Sequence, residues 1–154
     1  MNQTANDHRE PLNKVALSAT IHCLTGCSIG EVLGMVIGSA FGLGQWPTVV
    51  LSVMLAFVFG YTLTIIPLLR ARINLQKALK LAFASDTASI VVMEIVDNAI
   101  MVIIPGAMDA GLLELKFWGS LALALLLAGV AAYPVVRWLI ARGRGHAVVH
   151  LYHN

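Results

Sequence analysis

The stretch SATIHCLTGCSIGEVLGMVIGSAFG, residues 18–42, carries the pattern that decides how this chain folds. It is predominantly apolar over more than the roughly 20 residues that a helix needs to cross a bilayer. Glycine recurs in it at every fourth position, and a helix aligns such residues in one smooth stripe that another helix can approach closely. A membrane helix with a packing face is therefore predicted. The glycines of this row are Gly26, Gly30, Gly34 and Gly38.

A second row of residues runs beside the glycines at the same spacing and consists of Cys23, Cys27, Glu31 and Met35, with His22 next to it. An acidic side chain at membrane depth costs about 2.5–3.5 kcal/mol, so it normally faces the interior of a bundle and marks an ion pathway or a ligand site. This face of the helix is therefore predicted to turn toward other helices.

The composition of the whole chain is that of an integral membrane protein. Its 154 residues are 58% hydrophobic and 12% charged, with a mean hydropathy of +0.82, which lies outside the range of soluble globular domains. We expect an all-α polytopic protein that forms one membrane domain over residues 1–154. The four predicted spans are 15–41, 46–69, 81–104 and 117–139.

Basic residues are distributed so that they predict the orientation of these spans. They are Arg9, Lys14, Arg70, Arg72, Lys77, Lys80, Arg137, Arg142 and Arg144, all before the first span, between the second and third, or at the end. The other two loops contain no basic residue except Lys116, beside Asp109 and Glu114. In membrane proteins lysine and arginine are more frequent in the cytoplasmic loops. We therefore expect a bacterial inner-membrane protein with both termini, residues 1–14 and 140–154, in the cytoplasm.

Two further features agree with this topology. Trp46, Trp118 and Trp138 fall at predicted span ends, as interfacial anchors do. The net charge of +2 comes almost wholly from the cytoplasmic side, so it gives no reason to expect nucleic-acid binding. For the segment 70–80 two interpretations stay open, a short helix lying along the inner leaflet or a helical continuation of the neighbouring spans.

The third predicted span adds polar residues at spacings of three and four. They are Asp86, Ser89, Met93, Glu94, Asp97, Asn98 and Met101. Because the first and third spans run in the same direction, a rise of about 1.5 Å per residue predicts which residues share a level. The expected neighbours are His22 and Cys23 with Asp86, Cys27 with Ser89, Glu31 with Glu94, and Met35 with Asp97 and Met101. A polar column between the two spans is the result.

The donor atoms in this column point to a soft metal ion. Thiolate, imidazole and thioether donors select copper(I) or zinc over magnesium or calcium. The predicted metal ligands are His22, Cys23, Cys27, Glu31, Met35, Met93, Glu94 and Asp97, with Asp86, Ser89, Asn98 and Met101 completing the column. An ordinary interpretation exists for each type of residue, since cysteine and methionine often only pack, a histidine can bond a neighbouring helix, and a carboxyl can stay protonated.

The leading hypothesis is a homo-oligomer, assembled through its glycine face, that binds and conducts copper or zinc. One alternative is a proton or alkali-cation channel or transporter in which the carboxylates act and the sulfurs only pack. Another is an accessory subunit of a larger membrane complex. An enzyme is not expected, because a membrane thiol oxidoreductase needs a second cysteine pair and this chain has 2 cysteines.

The end of the chain contains His146, His150 and His153. Their spacing of four and three would align them on a helical tail as an intracellular ion-loading patch. A solvated tail with chance histidines explains them equally well.

Three stretches resemble a bacterial four-span membrane family known as domain of unknown function 4396. They are ATIHCLTGCSIGEVLG at 19–34, MEIVDN at 93–98 and GRGHAVVH at 143–150. The resemblance covers nearly the whole chain and implies that eight residues belong to the family motif, but it implies no reaction scheme beyond an occasional association with copper. These residues are His22, Cys23, Cys27, Glu31, Met93, Glu94, Asp97 and Asn98.

Overall fold

The computed structural model describes residues 12–70, 72–107 and 109–142. This part of the chain forms long helices and contains no strand, which confirms the prediction of an all-α fold. The helices are α1 (Leu12–Ala40), α2 (Gln45–Arg70), α3 (Leu75–Ile103) and α4 (Leu115–Ala141).

Three of these helices, α1, α2 and α4, are long and apolar enough to cross a membrane, so the chain is a multi-pass membrane protein. The third helix, α3, has 29 residues, as α1 does, but it is more polar. It carries Asp86, Glu94 and Asp97 in addition to Lys77 and Lys80 near its start.

The third helix begins earlier than the span predicted from hydropathy. Arg72 has a left-handed backbone with φ of 59°, which turns the chain after α2. Asn74 then caps α3, because its side-chain oxygen accepts a hydrogen bond from the backbone N–H of Gln76 at 2.9 Å. Residues 75–80, for which two interpretations were open, are thus the first turns of α3.

The glycine row of α1 packs against α2 so closely that a larger residue does not fit. A methyl carbon added at Gly26 would lie 2.8 Å from the Cα of Gly60. One added at Gly30 would overlap the backbone of Ala56, and one at Gly34 would overlap Ser52. Close approach of small residues is how helices associate in lipid, where no hydrophobic effect separates helix from solvent.

The partner surface on α2 is itself a row of small residues at a spacing of four, which the sequence analysis did not single out. It runs through Thr48, Ser52, Ala56 and Gly60. Since the glycine face of α1 is occupied by α2 of the same chain, an oligomer would have to form through another surface.

Around the bundle each helix packs against the next, and α1 closes the ring by contacting α4. A weaker contact joins α1 to α3 across the centre. The outward side chains of all four helices are largely apolar, among them Ile21, Met54, Ile95 and Leu126. The polar face of α1 therefore meets the polar face of α3 inside a shell of apolar side chains.

The packing of α1 on α2 generates a stability prediction. Gly30→Ala would destabilise the protein, because overpacking a tight contact costs about 1–3 kcal/mol. Thermal unfolding of the purified protein in detergent measures the loss. Gly119→Ala is the matched control, since nothing lies within 4 Å of a methyl carbon at that helical glycine. If Gly119→Ala lowered the midpoint more than Gly30→Ala, the assigned α1–α2 contact would be wrong.

Candidate cation site

The acidic residues of the predicted spans all point into the bundle. Asp86 is 0% exposed, Glu31 and Asp97 are each 2% exposed, and Glu94 is 6% exposed. On α3 the outward positions are instead occupied by apolar residues such as Ile95 and Val102. The two faces of α3 thus differ in the way expected of a helix that keeps its carboxyl groups away from hydrocarbon.

Three of these acids form one cluster between α1 and α3, which we call the carboxyl cluster: Glu31, Glu94 and Asp97. Glu31 interacts electrostatically most strongly with Asp97 and then with Glu94, and Glu94 interacts with Asp97. Buried carboxylates at such short range repel one another when ionised. A proton or a bound cation shared among them relieves that repulsion.

Although Asp97 lies near Glu31, and Cys27 and Asn98 lie near Glu94, most oxygens of the carboxyl cluster accept no hydrogen bond of normal geometry from a described residue. This holds for both side-chain oxygens of Glu31, both of Glu94 and Oδ1 of Asp97. Buried polar atoms are normally satisfied, and an exception in a native structure often marks a site for an ion or ligand. The cluster therefore has acceptor capacity to offer a cation.

Two hydrogen bonds reach the backbone of the cluster residues, one from another helix and one from within α3. The side chain of Ser52 on α2 donates to the backbone oxygen of Glu31 at 3.3 Å. The side-chain amide of Asn98 donates to the backbone oxygen of Glu94 at 2.8 Å, one turn back on α3. Both bonds use backbone acceptors, so neither consumes a carboxyl oxygen.

A second polar group lies further along the bundle, toward the start of α3. The thiol of Cys23 and the hydroxyl of Ser89 form a hydrogen bond of 3.3 Å, in which either atom can be the donor. Ser89 also donates to the backbone oxygen of Asp86 at 2.9 Å, and the side chain of Asp86 interacts electrostatically with Cys23. These residues continue the line of polar groups beyond Cys27, which lies next to Glu94.

The sulfur atoms are placed differently from the carboxyl groups. Cys23, Cys27 and Met93 are each no more than 2% exposed and pack in one apolar core cluster. Their neighbours there are Ala56, Ile90, Ala128 and Ala132. Both cysteines are free thiols. Their immediate surroundings are those of packing residues, apart from the contacts of Cys23 with Ser89 and of Cys27 with Glu94.

A cavity of about 320 Å³ leads from one end of the bundle to the carboxyl cluster. Its rim is formed by residues of the loops between α1 and α2 and between α3 and α4, among them Leu43 and the exposed Asp109. Its deepest polar residues are the almost fully buried Glu31 and Asp97. The carboxyl cluster is thereby connected to the end of the bundle that carries few basic residues.

The structure brings many of the predicted site residues together, although not around one point. Met35, Asn98 and Met101 line the cavity with Glu31 and Asp97, whereas Glu94 lies behind them. His22 is half-buried, whereas the adjacent Cys23 is buried, because consecutive helical residues point in different directions. His146, His150 and His153 lie outside the described residues.

The register between α1 and α3 differs from the one predicted. Cys23 is near Asp86 and Glu31 is near Glu94, as expected, but each has a partner further along α3. Cys23 bonds Ser89, and Glu31 interacts more strongly with Asp97. Cys27, expected beside Ser89, lies beside Glu94. The predicted levels were therefore wrong by about one helical turn. Charge and hydropathy locate helix ends only to within such a distance, whereas interdigitating side chains set the register.

Several residues of the cavity wall were not predicted from the sequence. They are Ser39, Leu43, Gln45, Thr48, Val49, Ser52, Ala107, Asp109, Ala110, Gly111, Leu112 and Phe117. The one signal that could have identified two of them is the small-residue row of α2, which contains Thr48 and Ser52. The others lie at helix ends and in loops, where no periodicity reveals which side chains converge.

The donor side chains do not form a compact metal site. Within the described part of the chain, no three side chains of histidine, cysteine, aspartate or glutamate are grouped so that they could hold a metal ion. A tetrahedral zinc site needs about four such donors on one point. The acids of the carboxyl cluster are thus neighbours, but three of them do not converge on one point as ligands of a metal ion do.

Comparison with known proteins gave one match. The family described as Domain of unknown function (DUF4396) matches residues 12–145. No curated protein and no solved structure matches this chain.

The exposure of each position predicts which cysteines a reagent in solution can label. Ser39→Cys would react with a charged, membrane-impermeant maleimide, because residue 39 is exposed on the cavity wall. The parent protein would stay unlabelled, since its two cysteines are buried. Mass spectrometry of intact protein counts the labels. Ile29→Cys, on the apolar outer face, is the control and should not react, and modification of Cys23 or Cys27 in folded protein would contradict the described packing.

Proposed function

Since the chain belongs to the family described as Domain of unknown function (DUF4396), which assigns no activity, we propose from its geometry that it moves a cation across a membrane. In this proposal the carboxyl cluster receives the cation from the cavity. The observation that carries it is that Glu31 and Asp97 line the cavity although both are almost fully buried. Both side-chain oxygens of Glu31 and Oδ1 of Asp97 accept no hydrogen bond of normal geometry from another described residue.

A proton or an alkali cation is the cargo that this arrangement favours. The polar groups that line the cavity are oxygen ligands, namely carboxylates, hydroxyls and amides, and hard cations prefer such ligands. The thioethers of Met35 and Met101 are the soft donors on the same wall. The thiols of Cys23 and Cys27 pack among alanines away from the cavity. The carboxylate-based alternative therefore accounts for more of the geometry than a thiolate site does.

The route beyond the cavity follows the line of polar groups. A cation or proton that reaches Glu31 and Asp97 passes to Glu94, and from there toward Ser89 and Asp86. The thiols of Cys23 and Cys27 pack beside this route. Conduction requires sites that bind but also release, and several moderate sites in series satisfy that need better than one strong site. The tight packing around Cys23 and Cys27 makes this segment the expected barrier.

We further propose that α3 is a fourth membrane span and that the protein lies in a bacterial inner membrane. The apolar outer face of α3, with Phe83, Ile95 and Val102 exposed, supports this placement, as does the inward direction of its acids. Four spans put both termini on one side. The basic residues near Lys14, Arg70, Lys77 and Arg142 favour the cytoplasm for that side.

A soft metal ion, copper or zinc, is the second candidate cargo. It is favoured by one contact, the position of the Cys27 thiol next to Glu94, which offers a sulfur and an oxygen donor side by side. Homo-oligomerisation or a role as an accessory subunit stays a prediction, and either one would have to use surfaces other than the glycine face.

The leading proposal predicts which substitutions stop transport. In vesicles with reconstituted protein, Glu94→Gln and Asp97→Asn would slow proton or alkali-cation flux at least about tenfold, the effect of a barrier raised by about 1.4 kcal/mol. A pH-sensitive dye or ion-selective electrode records the flux.

The matched controls are Cys23→Ala and Cys27→Ala, for the sulfurs, and Glu114→Gln, for an exposed acid that does not line the cavity. Glu114→Gln should retain the flux of the parent. The two alanine variants should retain at least that flux, because the thiols pack beside the route and the smaller alanine does not narrow it. Full flux in Glu94→Gln and Asp97→Asn would overturn the proposed role of the carboxyl cluster.

The second candidate makes a different prediction, which elemental analysis tests. If copper or zinc is the cargo, detergent-purified protein binds it, and joint replacement of His22, Cys23 and Cys27 removes it. Metal content unchanged from the parent in the triple variant would refute these residues as ligands. Replacement of Ser18 and Thr25, polar residues on the exposed side of α1, serves as the control.

A further inference from the structure

The cavity is larger than a small inorganic cation requires. Its volume of about 320 Å³ falls at the lower end of the range of about 300–1,000 Å³ typical of sites that bind small organic molecules. A proton or an alkali ion at Glu31 and Asp97 would use only its inner end. Other residues line the remaining volume and determine what else the cavity can bind.

Much of that wall is apolar. Met35 and Met101 project from α1 and α3, and Leu112 and Phe117 close the cavity from the segment that leads into α4. Methionine side chains adapt their shape to different partners, which suits a surface that binds hydrocarbon groups of varied form. An aromatic ring such as that of Phe117 also attracts a cation placed over its face.

The charged groups of the same wall are all acidic. Glu31 and Asp97 lie at the inner end and Asp109 at the rim, while no lysine, arginine or histidine is among the described residues that line the cavity. Apart from the contact between the two carboxyl groups themselves, the buried oxygens of Glu31 and Oδ1 of Asp97 accept no hydrogen bond of normal geometry from the described side chains and backbone. A ligand that fits this electrostatic pattern carries a positive charge at its inner end.

We propose that the cavity binds an amphiphilic organic cation, a small molecule with a protonated or quaternary amine and an apolar body. The ammonium group pairs with Glu31 and Asp97, and the apolar body lies against Met35, Met101, Leu112 and Phe117. This proposal rests on the proposed role of Glu31 and Asp97 as cation ligands and extends it, because inorganic and organic cations then compete for one site.

Charge and apolar surface contribute separately in this site, and three probes of related shape distinguish them. Benzyltrimethylammonium has both features, tetramethylammonium has the charge without the ring, and neopentylbenzene has the shape without the charge. Calorimetry on the full chain in nanodiscs, with empty nanodiscs as the blank, measures binding of the first probe. The other two are tested as competitors against it.

The expected result is binding of benzyltrimethylammonium, with each of the other probes weaker by about tenfold or more. Glu31→Gln and Asp97→Asn would each weaken the first probe by a similar factor. Glu114→Gln, which removes an exposed charge near the same end of the bundle, would leave it unchanged. Equal competition by neopentylbenzene, or full affinity in both carboxyl variants, would overturn the proposal.

The three probes are tested on the parent protein, so this test remains valid even if a carboxyl variant does not fold. The unfolding midpoint of each variant in detergent shows whether that variant is folded. Flux on the same preparations separates the two proposals. Inorganic cation flux without probe binding would refute the organic-cation site and leave the proposed function standing. Probe binding that depends on Glu31 and Asp97 without any flux would support the site and contradict transport.

Discussion

A carboxyl group cannot face hydrocarbon without a large cost in free energy, and the structure of this protein depends on that constraint. Glu31 on α1 and the acids of α3 must meet inside the bundle. For these acids to meet, α1 and α3 must approach each other across the centre of the bundle, and α2 must not occupy the space between them. The glycine row of α1 makes this possible, because α2 packs against it with almost no side chain between the two backbones.

The same arrangement separates two kinds of donor atoms that lie close together along the chain. Cys27 and Glu31 are one turn apart on α1, but the thiol packs among alanines whereas the carboxyl reaches a cavity. This separation explains why oxygen chemistry, rather than sulfur chemistry, leads in the proposed function. Glu31 and Asp97 also line a cavity that opens at the end of the bundle where the described residues include few basic side chains.

Local sequence patterns predicted a large part of this structure. The apolar stretches located all four helices, three of which are apolar enough for a membrane protein. The spacing of Glu31, Glu94 and Asp97 predicted that these acids share a region between α1 and α3. Prediction failed where distant segments meet. Cys27 is about one turn from its expected partner, and the wall residues Ser52, Asp109 and Phe117 were not anticipated.

The amino-acid order alone specified helical segments, their apolar faces and the glycine stripe, because periodicity and hydropathy are properties of neighbours along the chain. Which thiol touches which acid, and whether a cavity opens beside Glu31, was settled by the folded bundle. Those relations depend on how side chains of α1, α2 and α3 interlock. A shift of one turn changes every such pair while it leaves the pattern of each single helix the same.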